Sequence, residues 1–179
     1  MKPSLSDAAR SLALRTLKDL PERIDHTTGV ADTMLTVSSR FDAEVGEQLV
    51  AAAWLHDVGY AARVAHTGFH PLDGARFAEE SGYSPLIVSL VAFHSGAAVE
   101  AEERGLTLEL QQFAEPDLQL LDLLTFSDMT TGPTGEPVTV EARLYEILER
   151  YPADDPVFRA ITRSTVELIA AVNRVRERT

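Results

Sequence analysis

The sequence predicts an all-α fold, a single-domain helical bundle of about eight helices spanning residues 1–179. Apolar residues recur at three- and four-residue spacing nearly everywhere, and no stretch alternates with period two. Capping residues and prolines punctuate that pattern at intervals of roughly one helix. A chain of 179 residues has the ordinary size of one domain.

Ser4 or Ser6 caps a first helix with the buried stripe Leu5, Ala9, Leu12 and Leu17, and Pro21 stops it. A second runs from about Pro21 to Arg40, with Ile24, Val30, Met34 and Val37 inward. Asp42 caps a third, whose stripe is Val45, Leu49, Ala53 and Trp54; Gly59 closes it from the left-handed C-terminal position. A loop follows from about Tyr60 to Phe69, and Pro71 then opens a helix that ends at Gly82. Ser84-Pro85 caps and opens the next, which carries Leu86, Ile87, Leu90, Val91 and Phe93. The acidic stretch from Ala97 to Gln112 breaks at Gly105 into two short exposed helices. Pro116 opens a leucine-rich helix that is apolar nearly all round and so belongs in the centre. Met129 to Pro137 holds two glycines and two prolines and reads as a loop. Thr139 to Tyr151 forms one more helix, and Asp155-Pro156 starts the last, with Ile161, Val166, Ile169, Val172 and Val175 inward.

Hydrophobic residues make up 45% of the chain and charged residues 25%, average globular usage that excludes disordered, collagen-like and coiled-coil classes. No apolar run approaches the ~18–20 residues of a membrane span. Met1 to Arg15 has no apolar core followed by a small-residue cleavage site, so the expected location is cytoplasmic. The absence of cysteine excludes disulfides, thiolate metal sites and a cysteine nucleophile. Net charge is −12, from 16 basic and 28 acidic residues, and Lys2 and Lys18 are the only lysines. Such a surface suits neither nucleic-acid polymers nor anionic membranes, because affinity for both comes mainly from Lys and Arg. A small anion can still bind where local cations intervene, and metal ions are natural candidates. The last helix stays apolar to Val175, which leaves room for a homodimer face, although a core face is the simpler use.

The informative feature is the placement of the histidines. His26 shares a helix face with Arg23, Val30 and Thr33. His56 falls on the apolar stripe of the third helix, seven residues after Leu49, and Asp57 follows it directly. His70 starts a helix, His94 ends a strongly apolar one, and Asp128 ends the leucine-rich helix. One buried histidine is usually satisfied by a hydrogen bond, and Asp128 alone could cap a loop, as Asp122 on the same helix could compete for its role. Six ionisable side chains on inward faces or ends of five helices need a shared compensation, since buried charge is costly unless paired or coordinated. Imidazole and carboxylate are the ligand set of Fe, Mn, Co, Ni and Zn, and helix interiors build such sites.

The chain order His, His-Asp, His, His, Asp resembles that of the HD superfamily of metal-dependent phosphohydrolases. Arg-Ile-Asp-His26-Thr-Thr-Gly-Val30-Ala31 is similar to the family's first helix. Ala-Ala-Trp-Leu-His56-Asp57-Val-Gly resembles the signature doublet, and His70-Pro-Leu-Asp-Gly74-Ala75 a His-x-x-x-Gly-Ala block. Phe93-His94 is similar to the later histidine, and Leu-Leu-Thr-Phe-Ser-Asp128-Met-Thr-Thr resembles the final block. The motif-bearing core covers about residues 21–131. The chain departs from the HD-GYP cyclic-dinucleotide phosphodiesterases: no lysine follows the doublet closely and no Gly-Tyr-Pro block occurs.

The resemblance implies that His26, His56, Asp57 and Asp128 hold one divalent metal ion, and that His70 and His94 add a second, with Asp57 bridging the pair at a spacing of ~3.5–4 Å. It implies hydrolysis of a phosphoester in a small molecule, a nucleotide first among candidates, by hydroxide on a binuclear site of Fe, Mn or another transition metal. Asp57 is then catalytic as well as a ligand. Arg63 and His66 lie in the loop after the doublet, where either could bind substrate phosphate and His66 could protonate the leaving group. Arg23, one turn before His26, could bind a ligand carboxylate or the substrate, and Tyr60 and Arg76 are weaker candidates for contact. Two other classes fit the same ligand set: an HD-type di-iron oxygenase, and a non-catalytic metal- or nucleotide-binding module.

Overall fold

The structure, a computed structural model, describes residues 3–178. Met1, Lys2 and Thr179, the ends of the expected 1–179 domain, lie outside the described residues. Among the described residues there are ten α-helical segments and one isolated bridge, Thr131 to Pro137, in place of any strand. The segments are α1 (Leu5–Thr16), α2 (Pro21–Val37), α3 (Ala43–Leu55), α4 (His70–Glu80), α5 (Pro85–Phe93), α6 (Ala97–Arg104), α7 (Thr107–Leu110), α8 (Leu118–Met129), α9 (Val140–Arg150) and α10 (Pro156–Arg178).

Local chemistry sets most boundaries. The Ser4, Asp42, Ser84, Asp117 and Thr139 side chains accept from backbone amides two or three residues on, satisfying N–H groups that a helix start leaves free. Asp117, not Pro116, is therefore the residue that starts α8. Prolines open α2, α4 and α5, where a missing N–H costs nothing. Gly105, at φ +69°, separates α6 from α7 as expected.

Helix α3 is the centre. Every residue from Leu49 to Leu55 is buried, and α1, α2, α5 and α8 pack around it. This core extends through Val30, Met34, Leu72, Ile87, Leu90 and Leu124. A second core joins Met129, Leu144, Ile147, Ile161, Leu168 and Val172 from α8, α9 and α10, and Phe126 touches both. Three expectations need correction. Leu5, at 39% exposure, and Val166, at 80%, face outward; on α10 the inward positions are taken by Ile161, Leu168, Val172 and Val175. Helix α8 is buried only toward its C-terminal end, since Leu118 is 59% exposed. Gly59 is not in the left-handed region; it sits in a 3-10 turn after α3, packed against the His70 backbone.

Candidate metal centre

The C-terminal ends of α3, α5 and α8, the start of α4 and the middle of α2 meet between the two cores. His56 and His94 are the first residues beyond α3 and α5. Their Nδ1 atoms donate to the carbonyls of Ala53 and Val91, each at 2.7 Å, in the last turn of the helix that carries them. His26 on α2 donates from Nδ1 to the Gly132 carbonyl at 3.0 Å. A carbonyl only accepts, so each Nδ1 carries a proton, and all three Nε2 atoms point inward. This is the orientation that metal-binding imidazoles have: the outer nitrogen tied to an acceptor, the inner one free.

Close backbone approach holds the frame. A Cβ on Gly59 would lie 2.0 Å from the His70 carbonyl oxygen, so only glycine lets α4 begin against the turn that follows the His56-Asp57 pair. A Cβ on Gly29 would lie 2.4 Å from the Gly135 carbonyl oxygen, and that contact seats the loop carrying Gly132 against α2, beside His26.

Six side chains converge as two groups, each with its candidate ligand atoms within 4.8 Å of one another: His26, His56 and Asp128, and Asp57, His70 and His94. Asp57 Oδ1 is 3.5 Å from Nε2 of both His56 and His70, and thus stands between the groups. His26 Nε2 is 3.1 Å from Asp128 Oδ1, and His70 Nε2 is 3.1 Å from His94 Nε2. His56 Nε2 is fully buried and has no hydrogen-bond partner. An orphaned buried acceptor of this kind is rare in proteins, and a cation would satisfy it. The donor set therefore fits divalent transition metals, and either group could hold one.

Electrostatics agrees with that use. Burial pushes the His56 and His70 imidazoles below the ordinary histidine value, so both are neutral and ligand-ready at neutral pH. Burial alone would raise the Asp57 carboxyl, but His56, Arg23 and His70 outweigh it and hold Asp57 well below the usual carboxylate range. Asp128 behaves likewise: burial opposes ionisation, and the close contact with His26, with His56 and Arg143 nearby, overcomes it. Burial also raises the Tyr60 hydroxyl despite the pull of Arg23, so Tyr60 stays protonated.

A cleft opens on the centre, with about 60 Å³ of internal space. A water-sized group needs about 10–15 Å³, so the cleft has room for only a few. Arg23 enters it from α2: Nη1 donates to Asp57 Oδ2 at 2.9 Å, and the guanidinium lies 4.0 Å over the Tyr60 ring, which stacks at 4.0 Å on His70. Arg63 and His66 do not line this cleft. Arg63 donates to Thr16 Oγ1 and packs on Phe77, on the far side of the loop. His66 is exposed, because buried Asp73 accepts from the His66 and Thr67 amides and turns that imidazole outward. Asp122 is also away from the centre, paired at 2.7 Å with both Nε and Nη2 of Arg174.

Several groups at the centre were not read from the sequence. Ser95, at φ +48°, donates from Oγ to Asp128 Oδ2, and only its place after His94 hinted at a role. Arg143, Arg150, Glu100 and Tyr151 also line the cleft. Arg143 carried a legible signal: it sits three residues after Val140 and four before Ile147, on the apolar face of α9.

The HD domain family model matches residues 23–154, more than half of the chain, and the chain belongs to that family. Proteins of the family are generally metal-dependent hydrolases that bind divalent metals. No curated protein and no solved structure matches the chain. No helix among the described residues is long and apolar enough to cross a membrane.

Proposed function

We propose that the chain hydrolyses a phosphoester in a small molecule, with a nucleotide the first substrate class to test. His26, His56, Asp128 and Asp57 would hold one divalent cation, and Asp57, His70 and His94 a second. When bound, such a pair supplies hydroxide at neutral pH and neutralises charge on a phosphoryl group. The observation that carries the reading is the unpartnered, fully buried Nε2 of His56 beside two carboxylates held ionised.

The chain's own residues do the rest. Arg23 fixes Asp57 through Oδ2 and leaves Oδ1 facing His56 and His70. Ser95 does the same for Asp128, leaving Oδ1 toward His26. The Tyr60 ring locks the plane of His70. Glu100, on the cleft wall, has a carboxyl that burial raises against the pull of Arg104, so it is suited to hold a proton and pass it to a leaving oxygen. Arg63 and His66 have no part in this reading, since neither reaches the cleft.

Metal analysis of the purified protein, followed by phosphate release and oxygen uptake across a panel of phosphate and phosphonate esters, tests the proposal. Phosphate release that depends on the metal supports it. Oxygen consumption with bond cleavage would replace it with the oxygenase reading, and full metal loading without turnover of any substrate would favour the non-catalytic module.

A further inference from the structure

Arg143 is 4% exposed and incompletely paired. Nη1 donates to Glu146 Oε2 at 2.6 Å. Nη2 is 3.5 Å from His26 Nε2 and 3.8 Å from Asp128 Oδ1, the outer limit of useful contact. Nε is buried with no partner. A buried guanidinium with a spare donor is expensive, and an apolar side chain of similar volume would often serve stability as well. Its position suggests what the charge is for. Arg143 lines the cleft over the metal centre and also an outer groove of about 420 Å³ bounded by Glu22, Pro133 and Thr134. The cleft holds little more than a phosphoryl-sized group, and Arg143 lines both it and the outer groove, which offers room for the remainder of a substrate. Glu146, which also accepts from Arg150 at 3.1 Å, anchors both guanidinium groups there.

We propose that Arg143 is a substrate-binding residue for the phosphoryl anion, and that it stands beside His26 and Asp128 only until a cation takes that place. The inference rests on the metal-dependent reading above. His26 Nε2 and Asp128 Oδ1 face each other at 3.1 Å with Arg143 Nη2 beside both, so a cation held by that pair takes the place the guanidinium now borders. A cation bound there with Asp128 repels the guanidinium. The bond from Nη1 to Glu146 then acts as a pivot, and the turned fork presents Nε and Nη2 to two oxygens of an anion, a geometry that guanidinium matches and ammonium does not.

Calorimetric titration of the full chain with Mn²⁺, and of the Mn²⁺-loaded protein with inorganic phosphate, tests this in wild type and Arg143→Met. Removing one competing charge should tighten Mn²⁺ binding at one site by about tenfold. Losing a charged bidentate donor should weaken phosphate by about 10–100-fold. Arg143→Lys should fall between the two proteins for phosphate. Unchanged phosphate affinity in Arg143→Met overturns the inference while leaving the metal reading intact. Mn²⁺ bound more weakly by Arg143→Met overturns it too, since a merely structural arginine would give that result. Mn²⁺ bound by neither protein overturns both readings. If Arg143→Met does not fold, Glu146→Gln replaces it: without the pivot the guanidinium falls back on Asp128, so Mn²⁺ binding should weaken, and unchanged Mn²⁺ affinity overturns the inference.

Discussion

Asp57 faces three nitrogen-bearing groups at once: Arg23 on Oδ2 at 2.9 Å, and His56 and His70, each 3.5 Å from Oδ1. Only a carboxylate offers two oxygens for such a position, and the residue before it in the chain supplies one of the imidazoles. Replacing Asp57 with Ala should strip both cations and abolish turnover; normal metal content by elemental analysis would rule out a bridging role. Because the same change leaves the buried Arg23 guanidinium without its carboxylate partner, it should also lower the stability of the metal-free fold. Arg23→Gln keeps the ligands and loosens only the carboxylate that holds the two groups together. Metal affinity should fall by about 10–100-fold, the usual cost of losing a partner that orients a ligand. Equal affinity in a competition titration against a chelator would show that Asp57 orients itself.

At the scale of elements, the helix ends matter more than the helix bodies. His56 and His94 each stop a helix and spend Nδ1 on a carbonyl of that helix's last turn, so one residue both ends the element and aims its Nε2 inward. Glycine decides how closely those ends can meet. Gly59→Ala drives a methyl group into the His70 carbonyl, and should cost about 1–3 kcal/mol in stability while displacing His70 from Asp57. Gly46, in the body of α3, gives the contrast: the nearest atom to a Cβ there is the Ser38 carbonyl oxygen at 3.8 Å, an ordinary contact. Gly46→Ala should therefore stabilise by about 0.5–1 kcal/mol, the difference in helix propensity. Chemical denaturation of both variants checks the pair; two losses of similar size would mean that close approach is not what Gly59 provides.

For the whole molecule, the buried His56 and His70 imidazoles and the ionised Asp57 and Asp128 carboxylates make the metal-free protein acid-sensitive in a defined direction. His56 and His70 have folded values lowered by burial, against about 6.5 in the unfolded chain. Below that value the unfolded chain binds more protons than the folded one, so stability falls as pH drops from about 6.5. Asp57 and Asp128 are shifted the same way from a lower starting point, so their contribution persists until pH falls through the ordinary carboxylate range near 4. The thermal midpoint of chelator-treated protein should therefore decline first on the histidine step and again on the carboxylate step. Saturating Mn²⁺ should raise the midpoint at neutral pH and lose its effect in acid, because protons and cations compete for the same atoms. A midpoint flat from pH 7 to pH 5 would mean that the imidazoles are not held neutral by burial.

Sequence alone determined what is local. The approximate positions of α1 to α10, most of their capping residues, and the six histidines and aspartates on inward faces or at helix ends were readable, because helix formation depends on neighbours three and four residues away and on the chemistry at each terminus. Tertiary structure decided which faces meet. It divided the six side chains into two groups with Asp57 between them, brought in Ser95 and Arg143, and turned Arg63 and His66 away from the cleft. It also placed Val166 in solvent and gave Gly59 a packing role instead of a cap. Periodicity states that a residue lies on an apolar or polar face, but the distance between two faces depends on contacts far apart along the chain, and a metal centre is made of such distances.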